Sequence, residues 1–188
     1  MFTGIIEKKS KILSKEGGRF CVENHFWNDL KIWQSIAHDG ACMTLEAFNN
    51  ETYSFFVMEE SLKKTNFSEK KVWEYFNIER CMRASDRVDG HFVSGHIDTT
   101  GNVSLVEKLQ DNSLIVWVSF PEKFSKYTIK KWSIAINGVS LTLVDKKKWY
   151  ISVSLIPLTQ DWTNLWKLIL WESVNIEFDM LGKYILNW

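Results

Sequence analysis

The chain has 188 residues, 45% of them apolar, and its 23 Lys and Arg residues balance 23 Asp and Glu residues to a net charge of zero. Nucleic acid is a poor candidate partner, because binding to phosphates requires clustered Lys and Arg and the sequence has no basic run. No stretch approaches the roughly 18 apolar residues of a membrane-spanning helix, and residues 1–4 lack the features of a signal peptide, so we expect neither a membrane span nor secretion.

The three cysteines, Cys21, Cys42 and Cys81, form no CxxC pair, and their odd number leaves one without a partner. This usage is typical of the reducing cytoplasm rather than of a disulfide-linked domain. The four histidines have no paired spacing that would indicate a metal site. We therefore expect a cytoplasmic protein without a bound metal.

Taken in chain order, the predicted elements are mostly strands. Runs of β-branched and aromatic residues at 53–58, 113–120 and 149–155 have strand length, and polar breaks at 49–50, 110–112 and 146–148 lie between strands. Short helices are predicted around 61–64 and 122–127. About six short strands per ~90 residues, without a long helical period, predict a small all-β domain, either a closed barrel or a sandwich.

The chain contains an internal duplication. Residues 35–45 (SIAHDGACMTL) and 133–143 (SIAINGVSLTL) are identical at six of eleven positions. The same offset of 98 aligns residues 65–66 with 163–164 and residues 73–79 with 171–177. The duplication predicts two domains, at residues 1–89 and 90–188, divided at the polar and turn-prone segment 86–90. Function is then expected where the two similar halves differ or meet.

Several motifs occur in order along the chain. They are MFTGII at 1–6, the two repeated phrases, NIER at 77–80, DGHFVSGHID at 89–98, VSLIP at 153–157 and NIEFDMLGKY at 175–184. In this ordered set, the chain resembles the riboflavin synthase family over nearly its whole length. The resemblance implies an all-β fold of two tandem six-stranded Greek-key barrels, with short helices and a truncated C-terminal segment.

The resemblance also implies an activity and an assembly. The expected reaction converts two molecules of 6,7-dimethyl-8-ribityllumazine into riboflavin and 5-amino-6-(ribitylamino)uracil, without a metal or an organic cofactor. The expected assembly is a homotrimer, with each active site between the first barrel of one subunit and the second barrel of a neighbour. Because residues 182–188 are too few for a helix of stable length, we expect this trimer to be weak.

Cys42 is the sharpest difference between the repeats, because its equivalent is Ser140. Taken alone, Cys42 is also compatible with a small buried strand residue, but the resemblance places it near the substrate ring, with Ser35 and His96 as further catalytic candidates. The implied first pocket is framed by Gly4, Ile5, Ile6, Cys42, Met43, Thr44, Met58, Glu59, Glu60, Ser61, Gly95, His96 and Ile97. The implied second pocket is framed by Lys131, Ser140, Leu141, Thr142, Ile156, Pro157, Leu158, Thr159 and Asp179.

Some residues do not fit this pattern. Two histidines are predicted to be structural, His38 on a turn and His91 at the domain junction. Asn137 stands where the family often has an acidic residue, and Leu158 where it often has a polar or aromatic one.

Five tryptophans, Trp33, Trp73, Trp132, Trp166 and Trp171, stand where the family pattern has glycine. Turns before strands often require a positive φ, which a bulky residue resists by roughly 1–2 kcal/mol. Trp and Gly codons differ at a single base, and some bacteria read UGA as glycine. We therefore hypothesise that several of these residues are glycine in the source organism.

Two other functions compete with the enzyme. One is a relative that binds a lumazine or a flavin without turnover, and the retention of Cys42 and His96 argues against it. The other is the flavin-binding barrel of an oxidoreductase, for which the chain lacks the Gly-rich strand–turn–helix motif of a nucleotide-binding partner domain.

Overall fold

The computed structural model describes residues 1–186, in which twelve antiparallel strands form two closed six-stranded barrels. The first barrel has the order β1-β2-β5-β4-β3-β6, and the second repeats this order as β7-β8-β11-β10-β9-β12. The strands are β1 (Lys8–Glu16), β2 (Arg19–Glu23), β3 (Ser35–His38), β4 (Ala41–Phe48), β5 (Thr52–Phe56), β6 (Tyr75–Arg80), β7 (Thr99–Lys108), β8 (Leu114–Ser119), β9 (Ser133–Ile136), β10 (Val139–Lys147), β11 (Tyr150–Leu155) and β12 (Ser173–Phe178). This confirms the two Greek-key barrels and excludes the sandwich. The domain limits 1–89 and 90–188 stay a prediction.

Alternation along the repeated strands decides which side chains enter the barrels. In β4, Ala41, Met43 and Leu45 are buried in the core, whereas Cys42 is half-buried and Thr44 is exposed. The equivalent strand β10 buries its residues in the same alternating pattern. Successive side chains of a strand point to opposite faces. Cys42 and Thr44 in β4, and Ser140 and Thr142 in β10, therefore lie on the outer surface of their barrel.

Three short helices and three 3₁₀ turns connect the strands. The helices are α1 (Glu59–Lys64), α2 (Pro157–Trp162) and α3 (Met180–Leu186), and the turns are Asn66–Ser68, Glu122–Tyr127 and Asn164–Lys167. The two predicted helical stretches are thereby confirmed. None of the helices within residues 1–186 has the length and apolarity needed to cross a bilayer.

The C-terminal helix α3 corrects the expectation that this segment is too short to be helical. Asp179 Oδ1 accepts a hydrogen bond from the Leu181 N–H (3.0 Å), and Lys183 Nζ pairs with Asp98 Oδ2 (2.8 Å). Gly182 lies so close to Trp132 that an added Cβ would be 2.9 Å from the ring. Tertiary contacts thus stabilise a helix that would be marginal in isolation.

The two barrels meet across a buried polar network. Asn164 Nδ2 donates to Asp39 Oδ1 (2.8 Å), Asn77 Nδ2 donates to the Asn137 carbonyl (2.9 Å), and Asn175 Nδ2 donates to the Asp39 carbonyl (3.0 Å). These residues are repeat equivalents, Asp39 with Asn137 and Asn77 with Asn175. The duplication has therefore placed two copies of one polar cluster against each other.

One ion pair breaks the symmetry of this network. Lys70 Nζ lies 2.7 Å from Asp39 Oδ2, and the side chains are 8% and 0% exposed. The equivalent residues in the second repeat, Leu168 and Asn137, carry no charge. A buried charge without its partner is strongly destabilising, so Asp39 and Lys70 each depend on the other.

His38 lies in the core of the first barrel and not on a turn, which corrects its expected location. Its Nε2 is 2.7 Å from Tyr53 Oη, its Nδ1 is 3.1 Å from the Ile36 carbonyl, and its ring lies 4.0 Å from that of Phe55. Burial lowers the pKa of His38 to about 3. The second barrel holds Ile136 at the equivalent position and has no such group.

We predict that His38 makes the protein sensitive to mild acid. Its pKa is depressed on folding, so its contribution is complete above pH ~6.5 and is lost as the pH falls and the unfolded chain takes up the proton. Between pH 6.5 and 5, the free energy of unfolding should fall by about 2 kcal/mol from this group. The double variant H38I/Y53I carries the second barrel's residues at both positions. Its free energy of unfolding, measured with urea across this pH range, should fall by correspondingly less. Parallel curves for the two proteins would refute the assignment.

Left-handed backbone is confirmed at three of the five tryptophans, Trp33 (φ 72°), Trp73 (φ 76°) and Trp171 (φ 71°). Among residues 1–186, Trp132 and Trp166 are not in this conformation, which corrects the expectation for them. The repeat equivalent of Trp33 is Lys131, and it has φ 73°. In the turn before β9, the left-handed position is thus one residue before Trp132.

We predict that glycine at Trp33, Trp73 or Trp171 stabilises the protein. Each replacement removes a bulky side chain from left-handed backbone and should raise the free energy of unfolding by about 1 kcal/mol, or the melting temperature by about 2–4 °C. Trp166→Gly is the matched control, because Trp166 lies in a 3₁₀ turn without positive φ. Thermal unfolding should show no gain for the control, and an equal gain there would refute strain as the cause.

Candidate functional site

Each barrel has an outward-facing strand segment with one edge that its own sheet leaves unpaired. Strand β4 pairs with β5 only from Leu45 onward, and β10 pairs with β11 only from Leu143 onward. The preceding residues, Cys42 and Ser140, instead hydrogen-bond to coil segments from elsewhere in the chain. These two equivalent edges are the centres of the candidate sites.

The first candidate site is built around Cys42. The Cys42 N–H donates to the Gly95 carbonyl (2.8 Å), and an added Cβ on Gly95 would lie 2.6 Å from Cys42 Cβ. Across the β3–β4 pair, Ser35 lies opposite Thr44, next to Cys42 on the same outer face. The structure therefore brings together Ser35, Cys42, Thr44 and Gly95.

His96 follows Gly95 directly and is exposed. Its N–H donates to Ser94 Oγ (3.2 Å). The next residue, Ile97, packs against the core of the first barrel. His96 thus lies directly after the glycine that contacts Cys42, on a segment fixed on both sides.

The start of α1 provides the remaining residues predicted for the first pocket. Met58 precedes the helix and is 61% exposed, and Glu59 and Glu60 form ion pairs with Lys63 (2.6 Å) and Lys64 (2.8 Å). A hydrogen bond from Lys64 lowers the pKa of Glu60. Glu60 is therefore an ionised acceptor at neutral pH. Ser61 lies in the same helical turn and is half-buried.

The second candidate site is built around Ser140 and contains a residue that was expected to be structural. His91 Nδ1 lies 2.7 Å from Ser140 Oγ, and Gly90 allows this approach, since a Cβ there would be 2.8 Å from Ser140 Cβ. Burial lowers the pKa of His91 against the opposing effect of Asp179. His91 Nε2 is buried and has no hydrogen-bond partner among the described residues. The sequence signal for this pair is weak, because the two residues are 49 positions apart.

The segment with Gly4, Ile5 and Ile6 belongs mainly to the second site, which corrects the expected assignment to the first pocket. The Gly4 carbonyl accepts a hydrogen bond from the Ser140 N–H (2.8 Å), and Ile6 packs against the core of the second barrel. Ile5 is 46% exposed. The segment before each barrel thus crosses to the other barrel.

The crossing is held by a short antiparallel bridge between the two segments. Phe2 and Val93 exchange backbone hydrogen bonds of 2.8 and 3.0 Å, and both side chains are buried. We call residues 2–6 the first arm and residues 93–97 the second arm. The first arm contacts Ser140, and the second arm contacts Cys42.

The other residues predicted for the second pocket are dispersed around it. Thr142 faces outward from β10, Lys131 is exposed, and Ile156, Pro157 and Leu158 are exposed at the start of α2, with half-buried Thr159 following them. Asp179 caps α3 through its bond to the Leu181 N–H. The side chains of Met43 and Leu141 point into the two cores and are not available to a ligand on the outer face.

Three surface cavities formed by the described residues have neither Cys42 nor Ser140 in their walls. One of them, with a volume of about 600 Å³, opens beside Ser35 and Ile5, and most of its lining residues are charged. The outer faces with Cys42 and Ser140 combine these half-buried residues with exposed Thr44 and Thr142. A ring bound there would need a further wall to exclude water.

Comparisons with known proteins agree with the repeat and the fold. A family model described as the lumazine binding domain matches residues 3–81 and 94–179. The chain is 39% identical to riboflavin synthase of Actinobacillus pleuropneumoniae over 98% of this chain and 88% of that protein. It is 36% identical to riboflavin synthase of Escherichia coli (strain K12) over 100% and 91%, and 34% identical to that of Bacillus subtilis (strain 168) over 98% and 88%.

Solved structures show the same fold. LumP complexed with riboflavin superposes with a TM-score of 0.86, and LumP complexed with 6,7-dimethyl-8-(1'-D-ribityl) lumazine with a TM-score of 0.84. Each is 21% identical to this chain, and the match covers 95% of this chain and 99% of the LumP chain. At this identity, the likeness concerns the fold alone.

Proposed function

The chain belongs to the riboflavin synthase family and is an enzyme, a transferase; on that premise, we propose that it dismutates 6,7-dimethyl-8-ribityllumazine. Two lumazine molecules react by transfer of a four-carbon unit to give riboflavin and 5-amino-6-(ribitylamino)uracil. The observation that carries this proposal is the pair of equivalent sites at Cys42 and Ser140 within one chain. A reaction between two copies of one molecule needs two similar binding sites, and holding both in place can supply several kcal/mol of the barrier.

The difference between the two sites supports a division of chemical tasks. One lumazine must lose a proton from its C7 methyl group, and the other must accept a nucleophile at C7. In the second site, the lowered pKa keeps His91 neutral near pH 7, so it can receive a proton through Ser140 Oγ, 2.7 Å away. In the first site, Cys42 provides a polarisable sulfur near C7, with Ser35 and His96 beside it as polar partners. The lumazine ring itself serves as the electron sink.

The backbone of β4 and β10 is proposed to recognise the pyrimidinedione edge of each ring. Thr44 and Thr142 follow Cys42 and Ser140 by two residues on the parts of β4 and β10 that precede the pairing with β5 and β11, with Met43 and Leu141 between them. The helix starts at Met58–Ser61 and Ile156–Thr159 are proposed to border the ribityl chains, with Glu60 and Thr159 as hydrogen-bonding groups. Lys131 and the arm residues Gly4–Ile6 and Gly95–Ile97 complete the two sites.

We propose a homotrimer in the cytoplasm as the working form. The open face of each site requires a wall, and the second barrel of a neighbouring subunit facing the first barrel would place two lumazines together. An exposed apolar face of α3, formed by Leu181, Tyr184 and Ile185 at 58%, 68% and 62% exposure, is available for such a contact. Three free cysteines are consistent with a reducing compartment.

The alternative is a protein that binds a lumazine or a flavin without converting it. It is favoured by the likeness in fold to LumP, which has been solved with riboflavin and with the lumazine. The deciding experiment is incubation of the purified protein with 6,7-dimethyl-8-ribityllumazine. Riboflavin fluorescence that appears at one molecule per two lumazines consumed supports the enzyme, whereas binding without riboflavin formation supports the alternative.

We predict that Cys42→Ala lowers kcat by roughly 10²-fold while the affinity for the lumazine changes much less, because the sulfur acts on the reacting carbon and not on the ribityl chain. Steady-state kinetics and equilibrium binding measure the two effects separately. Cys21→Ala is the control, since Cys21 is a half-buried cysteine of the same barrel on β2. A near-normal kcat for Cys42→Ala would remove Cys42 from the mechanism.

We predict that the trimer dissociates on dilution and that activity is lost with it. The contact available to α3 is small because the helix has only seven residues, so the association should be weak. Light scattering over a dilution series should show the mass falling from trimer to monomer while specific activity falls in parallel. A monomer with full activity would refute a site shared between subunits.

A further inference from the structure

Glu177 on β12 holds the second arm through three hydrogen bonds. Its Oε1 accepts from the Ser94 N–H (2.6 Å) and from Ser94 Oγ (2.7 Å), and its Oε2 accepts from the Gly95 N–H (2.9 Å). The residue is 1% exposed. The carbonyl of the same Gly95 accepts the Cys42 N–H, so a second-barrel carboxylate and a first-barrel strand hold one glycine from opposite sides.

Glu79 on β6 does the same for the first arm. It accepts from the Thr3 N–H (2.6 Å), Thr3 Oγ1 (2.8 Å) and the Gly4 N–H (3.0 Å), and it is 5% exposed. The Gly4 carbonyl accepts the Ser140 N–H. Each glutamate therefore belongs to one barrel and acts, through an arm, on the ligand strand of the other.

An anionic carboxylate is the group that these arms require. Three donors converge on two oxygens in each case, and a buried acceptor of this kind has no water to replace a lost partner. Burial raises the pKa of both glutamates, while the hydrogen bonds from the arms oppose that shift. An amide in place of the carboxylate would turn an NH₂ group toward an N–H donor. The hydrogen bond between the arm and that end of the side chain would then be lost.

The backbone of both arms is also tightly restricted at its glycine. Gly4 and Gly95 have φ of 76° and 85°, and an added Cβ at either would lie within 2.7 Å of a side-chain carbon of the opposite barrel. The arms thus pack against the ligand strands without intervening side chains. A small displacement of an arm would change the backbone groups that border the site.

We propose that Glu177 and Glu79 are positioning residues, each of which sets the arm that closes the ligand site of the opposite barrel. The statement that these sites hold lumazine rests on the proposed function, but the positioning itself does not. The two roles are separate, Glu177 for the Cys42 site and Glu79 for the Ser140 site.

The test measures alkylation of the Cys42 thiol by iodoacetamide in the full chain, quantified by mass spectrometry of the Cys42 peptide. Glu177→Gln should accelerate Cys42 alkylation about tenfold. Loss of a hydrogen bond to a charged acceptor should raise the population of the locally open state, in which Cys42 is accessible, by about this factor. Glu79→Gln, the matched variant of the same chemistry, should leave the Cys42 rate within about twofold of the parent. Cys21 is the internal reference, because a general loosening of the first barrel would accelerate its alkylation as well.

Selective acceleration at Cys42 in Glu177→Gln supports the proposal, and equal rates in the two glutamate variants, or parallel acceleration at Cys21, overturn it. If Glu177→Gln does not fold, Ser94→Ala keeps the carboxylate and removes the hydroxyl that donates to Glu177 and accepts the His96 N–H. It should give the same selectivity with a smaller factor. An unchanged Cys42 rate in that variant also overturns the proposal. Since the readout is thiol reactivity, it remains decisive even if the protein does not turn over lumazine.

Turnover provides the second readout. With the lumazine as substrate, Glu177→Gln and Glu79→Gln should each raise KM about tenfold with a smaller change in kcat, since each loosens a binding site and leaves Cys42, Ser140 and His91 in place. A fall in kcat with unchanged KM would overturn the assignment to binding-site geometry. Absence of any turnover in the parent would instead overturn the proposed function.

Discussion

The buried polar junction between the barrels is the constraint on which the other features depend. Side-chain amides from each half satisfy backbone and side-chain groups of the other, and these groups are inaccessible to water. A relative shift of the barrels would leave several buried polar groups without partners, each at a cost of about 1–3 kcal/mol. The Asp39–Lys70 pair strengthens this constraint, because neither charge tolerates burial alone. The barrels are therefore held in one register, and both arms can reach across.

Once the barrels are held in register, duplication provides two similar surfaces and divergence makes them chemically different. Both halves keep the outward-facing residue, the unpaired strand edge and the arm with its glycine. They differ where chemistry is expected, with Cys42 in one half and the Ser140–His91 pair in the other. For a reaction between two identical molecules, equal binding and unequal chemistry are both required.

Divergence has also affected parts of the halves that do not touch the candidate sites. The first barrel has an aromatic core with a buried His38–Tyr53 pair, whereas the second has a core mainly of Val, Ile and Leu. The shared topology shows that the barrel tolerates either filling when the inward positions stay bulky and a polar side chain in the core, such as that of His38, has a partner. Core chemistry and surface chemistry have therefore changed independently in the two repeats.

The sequence by itself determined the duplication and the strand-rich class, and it identified Cys42 and Ser140 as the sharpest difference between the repeats. These properties follow from local alternation and from direct comparison of the repeats, and both can be read along the chain. Only the tertiary structure decided that the arms exchange barrels, that His91 meets Ser140 and that His38 is buried. Each of these depends on where a coil segment or a strand end lies relative to residues tens of positions away. It also decided that the left-handed residue of the turn before β9 is Lys131 and not Trp132, because φ is set by the closed turn. Segments without periodic patterning contain no local signal for the surface they will cover, and here those segments complete both candidate sites.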